Sequence, residues 1–440
     1  MGRFMRRSTV LAIVLIVAIA QVAFAAVTWD NARTTIPGNY AWNYSNSLDY
    51  TGTPGTSNFR LHEVYVSDAS LPEQAKYTHS ADGSNWSKPQ KISGGANIDG
   101  SSVAAAASTV IVGWFTGYNY YDGNYDTTLA RRFQVNVSTD AGASWEGVTS
   151  LTGKSGKVDY PIVAAARTSD AHTNLYGAWV DSKSCDVMFR QRTDNGAWSS
   201  PVSVGTTTAH IEGNAYGCAG YANIAAVRDL ILVGWIAADT GTLKVSYINL
   251  NGNAARATNA GNWSHATLAD KISVTQNGFP IASASPQNTG VVTFAYNTDT
   301  AQKYVRFNGT SISSATTIYT NGTTGGKTYG GGYSTMVEPA PGGGYLAMWA
   351  GCRDVGLANP CNYGSAKAKF DLMAASSTNG TTWSAPQQLV LSSTSAQLND
   401  EPSAVVVPGN TGVKIYAQYN AYKSTYHYYD VWGINGTGTL

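Results

Sequence analysis

Acidic residues recur beside glycine or proline in short apolar segments: Asp99-Gly100, Asp159-Tyr160-Pro161, Glu338-Pro339 and Asp400-Glu401-Pro402. Carboxylates gathered from several segments to one place can bind cations or polar sugars, or work as acid and base. Their plainer role is to accept backbone amides where strands begin. A second candidate is the run TGYNYYDGNYDTT, residues 116–128, with Tyr118, Tyr120, Tyr121 and Tyr125. Flat amphipathic rings of this kind stack on sugar faces, or pack on one another within a loop. Inside the run, Asp122, Asn124 and Asp126 place oxygen atoms two residues apart, as calcium loops do. No acidic residue follows closely to complete a shell. Calcium is therefore the one cofactor the chain offers, and none is required.

The elements that must position these groups are announced by a repeated turn. The fullest copy is Ser138-Thr139-Asp140-Ala141-Gly142-Ala143-Ser144-Trp145. Others run Ser80 to Trp86 around Asp82, Thr193 to Trp198 around Asp194, and Ser377 to Trp383 around Asn379, with a degraded copy from Thr258 to Trp263. Steps between the tryptophans are 59, 53, 65 and then 120, a double step in which one copy has decayed. Asp or Asn can accept amides two or so residues on, glycine takes the positive-φ position, and the indole packs on the apolar face. Three copies continue as Trp-Ser-x-Pro, which suits an edge strand. Self-similarity at this period indicates a propeller or a solenoid.

Seven segments read as second strands of successive units: His62–Ser67, Val110–Phe115, Leu175–Val180, Leu230–Ile236, Val291–Asn297, Tyr345–Ala350 and Val413–Asn420. Alternating apolar residues and short turns support strands throughout, with no helical period after the N-terminus. The expected fold is all-β, a single β-propeller over residues 26–440 with four-stranded blades. Seven blades fit the count, with the segment near Trp29 completing the last. Six is the alternative.

The turn resembles the Asp box, or BNR repeat, of sialidase-like propellers. That resemblance implies a structural turn lying away from the ligand face. Propeller geometry then puts Asp99, Asp159, Glu338, Asp400, Glu401, Arg353, all four cysteines and the Tyr118–Tyr125 loop on the opposite face, around the channel mouth. Resemblance to sialidases also implies three arginines for the substrate carboxylate, an Asp acid/base, and a Tyr nucleophile assisted by Glu. The nearest matches are Phe59-Arg60-Leu61-His62 for the first-arginine motif, Glu212 followed by Arg228, and Arg353. Blade alignment opposes this set: Arg60 enters a second strand and Arg228 sits in a turn between first and second strands. Both should face away from the mouth. The reading is a binding module for an extracellular glycan or protein, with a sialidase-like exo-glycosidase as the alternative.

The N-terminus agrees with export. Arg3, Arg6 and Arg7 precede an apolar run from Val10 to Ala20, and Ala23-Phe24-Ala25 fits a cleavage site, so residues 1–25 read as a signal peptide. An uncleaved anchor is the alternative; no other segment could span a bilayer. Charged residues are only 12% and the net charge is +1, which gives no electrostatic case for nucleic acid or an anionic membrane surface. Four cysteines in an exported chain suggest two disulfides, Cys185 with Cys218 and Cys352 with Cys361 among three pairings. Oligomeric state is not legible.

Overall fold

Each sixty-residue period folds as one antiparallel sheet of four strands. A computed structural model describes residues 26–34, 41–42, 47–67, 73–94, 98–116, 132–153, 158–181, 183–207, 221–237, 240–273, 278–353, 369–392, 397–423 and 428–440. Seven such sheets form a β-propeller, with only three short 3₁₀ turns among the described residues. The innermost strands of blades 1 to 7 are Leu48–Thr51, Ile98–Ala106, Val158–Arg167, Ala222–Val227, Ile281–Ser285, Lys327–Pro339 and Gln397–Pro408. Each touches the next, and the seventh returns to the first, so the ring is closed. Every predicted core segment falls within a second strand.

Closure uses the N-terminal segment. Val27–Trp29 supplies the outer strand of blade 7, with Val27 opposite Gly438 and Trp29 opposite Gly436. The Trp29 indole donates to Gln387 Oε1 of blade 6 at 2.9 Å.

The core lies between blades rather than within one. Ile162, Tyr176 and Phe189 of blade 3 meet Ile224, Ile231 and Val233 of blade 4. Equivalent buried clusters occupy each remaining seam, including the one between blade 7 and blade 1. A sheet buried on both faces is what makes the strands read as nearly continuous apolar runs.

The repeated turns staple these seams. At Asp140, Oδ1 accepts the Ser144 amide at 2.8 Å and the Ser138 hydroxyl at 2.7 Å, while Ser138 Oγ accepts the Gly142 amide at 2.8 Å. Asp82 and Asn379 close their turns the same way. Asp194 departs from the pattern. Its φ is +48°, and its carboxylate accepts from Thr173 N at 2.9 Å and pairs with His172 Nδ1 at 2.6 Å, so it bonds the start of the second strand instead of its own turn. The turn tryptophans cross to the preceding blade. Trp145 meets Tyr77 edge-on at 4.9 Å, Trp263 meets Phe189 at 5.0 Å and Trp383 meets Tyr304 at 5.6 Å. Trp86 packs against the Tyr416 cluster of blade 7, and Trp198 against the Phe133 cluster of blade 2. Each such aromatic pair contributes about 0.5–1.5 kcal/mol beyond its buried area.

Gly142 is held at φ +82°, and a Cβ there would fall on the Tyr77 hydroxyl. Gly142→Ala therefore meets both left-handed strain and a seam clash, and should lose about 2–4 kcal/mol in urea unfolding. Gly153→Ala has open space around its Cβ and should stay within about 0.5 kcal/mol of the parent.

Candidate functional site

On each blade the innermost strand runs from the predicted mouth toward the face of the hairpin turns. Where it starts, a β-bulge recurs: the register shifts between Asp99 and Ser102, Asp159 and Ile162, and Asp400 and Ser403. Three predicted acids thus share one register position on blades 2, 3 and 7. Bulges re-aim strands at barrel rims and sites, and the bulge residue Glu401 sits at φ +48°. Its Oε2 accepts from Asn420 Nδ2 at 2.9 Å.

Glu338 is a correction. Expected at the mouth, it lies at the far end of its strand, opposite Leu346 and one residue before the exit at Pro339. The innermost strand of blade 6 starts eleven residues earlier than the Glu-Pro signal implied, and its register shifts fall between Tyr329 and Gly331 and between Tyr333 and Met336 instead. A Glu-Pro pair marks an extended dipeptide, which fits either end of a strand.

Arg353 ends the second strand of blade 6 as expected, but its guanidinium is committed. Nε donates to Asp371 Oδ2 at 2.7 Å, and Nη2 donates to Asp371 Oδ1 at 3.2 Å and to the Ser392 carbonyl at 2.7 Å. Asp371 is fully buried. Arg60 opens the second strand of blade 1 and donates to the Ala141 carbonyl at 2.8 Å, inside the turn of blade 2. Arg228 is exposed in the tight turn between the first two strands of blade 4, at φ +52°. The three arginines do not converge. Tyr118, Tyr120, Tyr121, Tyr125, Asp122, Asn124, Asp126, Glu212, Cys218 and Cys361 lie outside the described residues.

The central channel holds a cavity of about 930 Å³ walled by all seven innermost strands and by turns of the hairpin face. Ala104, Ala105, Ala165, Ala225, Ala282 and their neighbours line it, because seven converging strands leave room only for small side chains. Asp49, Tyr50 and Glu338 project among them, and sequence reasoning missed the first two. Asp49 Oδ1 accepts its neighbour Tyr50's amide at 2.7 Å, and Oδ2 accepts the Ala105 amide of blade 2 at 2.6 Å. Burial pushes the Asp49 carboxyl up to about 7, against those two amides. Burial, reinforced by Asp49, raises Glu338 well above the usual carboxylate range. The Tyr50 hydroxyl accepts from Gln287 Nε2 of blade 5 at 3.0 Å, so this side chain spans the channel. The irregular first blade hid the pair: its innermost strand is only four residues long and lacks the acid-then-proline signal.

A further carboxyl, Glu63, is sealed in the seam between blades 1 and 7. Burial pushes it up to about 8, with Gln418 of blade 7 beside it acting in the opposite sense.

No protein-family model and no curated protein sequence matches the chain. Among solved structures, it is similar to a protein of unknown function from Dyadobacter fermentans DSM 18053 (11% identity, TM-score 0.49), over 94% of this chain and 99% of that one. It is also similar to Trypanosoma rangeli sialidase in complex with sialic acid (12% identity, TM-score 0.43), over 93% of this chain and 58% of the sialidase. A third is the parainfluenza virus 5 hemagglutinin-neuraminidase ectodomain (8% identity, TM-score 0.45), over 94% and 85%. The chain thus spans under two thirds of the sialidase's length.

Arg353→Ala strands a buried carboxylate, so unfolding free energy should fall by about 3–5 kcal/mol, while Arg353→Met with Asp371→Leu should recover most of it. Stability should also drift with pH through Glu63. The unfolded chain ionises this group near 4.5, and the native state keeps its proton up to about 8. Its contribution is complete below the lower value and is lost as pH rises through the higher. Urea unfolding at pH values spanning that window should show the decline, and Glu63→Gln should flatten part of it.

Proposed function

We propose that the protein is an exported Asp-box propeller that holds an extracellular glycan or protein at its mouth and does not cleave it. One observation carries this reading: Arg353, alone among the three candidate arginines at the mouth, is spent on buried Asp371. A carboxylate clamp needs cations within hydrogen-bond reach of one spot. Arg60 and Arg228 are on the opposite face, one bonded to a turn carbonyl and the other at the lip of the channel. The turns around Asp82, Asp140 and Asn379 support the Asp-box assignment by their bonding, and the family's order places them away from the ligand.

In this proposal residues 1–25 are removed on export. The mouth is then built from the bulge acids Asp99, Asp159, Asp400 and Glu401 and from the Tyr118–Tyr125 loop. Two disulfides brace it, Cys185–Cys218 and Cys352–Cys361 among the possible pairings, and the described cysteines include no free thiol. Calcium at Asp122, Asn124 and Asp126 would stiffen the tyrosine loop.

Two assays test the proposal. Purified mature protein should leave a fluorogenic sialoside intact at high enzyme concentration; turnover would establish the exo-glycosidase alternative. On a glycan array, single Tyr-to-Ala changes at 118, 120, 121 and 125 should each weaken a bound glycan about tenfold, near 1.4 kcal/mol. Unchanged binding in all four would move the site away from this loop.

A further inference from the structure

The channel cavity opens on the hairpin-turn face, opposite the proposed mouth, between Ser108, Ser169, Arg228 and Gln287. At about 930 Å³ it is in the size range of small-molecule sites. Its walls carry alanine methyls with Leu48 and Met336, and polar side chains reach it from every blade, Asp49, Tyr50, Gln287 and Glu338 among them. Glu338 is only 5% exposed and lines the cavity, and among the described residues only burial and Asp49, with no donor and no cation, act on its carboxyl. A buried carboxylate without a partner costs several kcal/mol unless a proton or a cation neutralises it.

The donor set decides which cation fits. Divalent metals want six or more oxygen ligands, or several carboxylates. Asp49 has spent one oxygen on each of two backbone amides, and no group of three metal-ligating side chains gathers among the described residues. An organic ammonium asks less: three N–H groups and three acceptors. Glu338 offers its carboxylate. Its two oxygens are joined by the carbonyl oxygen of Gln287, whose amide nitrogen is given to Tyr50. The apolar walls suit a short carbon skeleton. Other charged groups facing the cavity are Asp49, which adds to the negative potential, and Arg167 and Arg228, both exposed at the lip where water screens them.

We infer that the central channel is a second binding site, for a small organic ammonium such as an alkylamine or amino sugar, with Glu338 as its counter-ion. This site is separate from the mouth, so changes in the tyrosine loop leave it intact. Burial beside Asp49 favours the neutral form of Glu338 in the empty channel and pairing with an ammonium favours the ionised form, so binding draws a proton off to the buffer.

Calorimetric titration of the full mature protein with n-butylammonium tests this, with n-butanol as the neutral isostere. Butylammonium should bind at least about tenfold tighter than butanol. Its apparent heat near neutral pH should differ between phosphate and Tris, whose ionisation heats differ, by the proton released. In Glu338→Gln the buffer difference should shrink to what Asp49 contributes and affinity should fall about tenfold or more, with the melting temperature at or above that of the parent. Glucosamine in place of butylammonium tells the amino sugar from the alkylamine by relative affinity. Absence of binding up to about 10 mM, equal affinity for butanol, or undiminished binding in Glu338→Gln would overturn the assignment. The buffer and isostere comparisons use the parent protein alone and do not depend on the variant folding.

Discussion

A blade that is apolar on both faces cannot bury itself, so its stability resides in the seams it shares with its neighbours. Here five of the seven seams couple an apolar cluster of one blade to the turn tryptophan of the next. Tyr77 lies edge-on to Trp145 and closes the space beside Gly142; Tyr304 does the same for Trp383, and its hydroxyl donates to the Gly380 carbonyl. The turn is therefore no free surface loop. Its carboxylate fixes the backbone, the backbone fixes the indole, and the indole fixes the angle between sheets. Seven repetitions of that angle close a ring, and the channel is what remains at its centre.

Convergence at the axis has a chemical consequence. Alanine is the residue that seven approaching strands favour, and besides Glu338 of blade 6 the larger acidic and phenolic side chains enter where blade 1 is short. Blade 1 contributes four residues to the inner wall, and Asp49 and Tyr50 take up the space its neighbours leave. Asp49 then caps the inward-facing amide of Ala105. Irregularity in one blade and an ionisable group in the channel are thus two aspects of one packing problem.

Fold was legible in the sequence because its signals are local and repeated. The Asp-box turn, the Trp after it and the apolar second strands each report on a few consecutive residues, and their period favoured seven blades over six. Sites were harder to read. Glu338-Pro339 looked like the start of a strand and is the end of one, since proline restricts the residue before it equally at either end. Arg353 was correctly placed along its strand, but nothing local announces Asp371, eighteen residues on, as its partner. Asp49 and Tyr50 were missed because a channel belongs to all seven blades at once. A contact from blade 1 to Gln287 of blade 5 has no short-range trace.

Closure of blade 7 by Val27–Trp29 also shapes the chain's earliest history. Val27–Trp29 pairs with a strand made about four hundred residues later. At about 5–20 residues per second, synthesis leaves that partner missing for roughly 20–80 seconds. During this interval blade 1 presents an uncovered apolar face, and the closing strand has no ladder to join. Exposed strand edges of this kind invite pairing with other chains. Success in the cell therefore depends on how long the two halves of the final sheet are kept apart and on what shields them meanwhile.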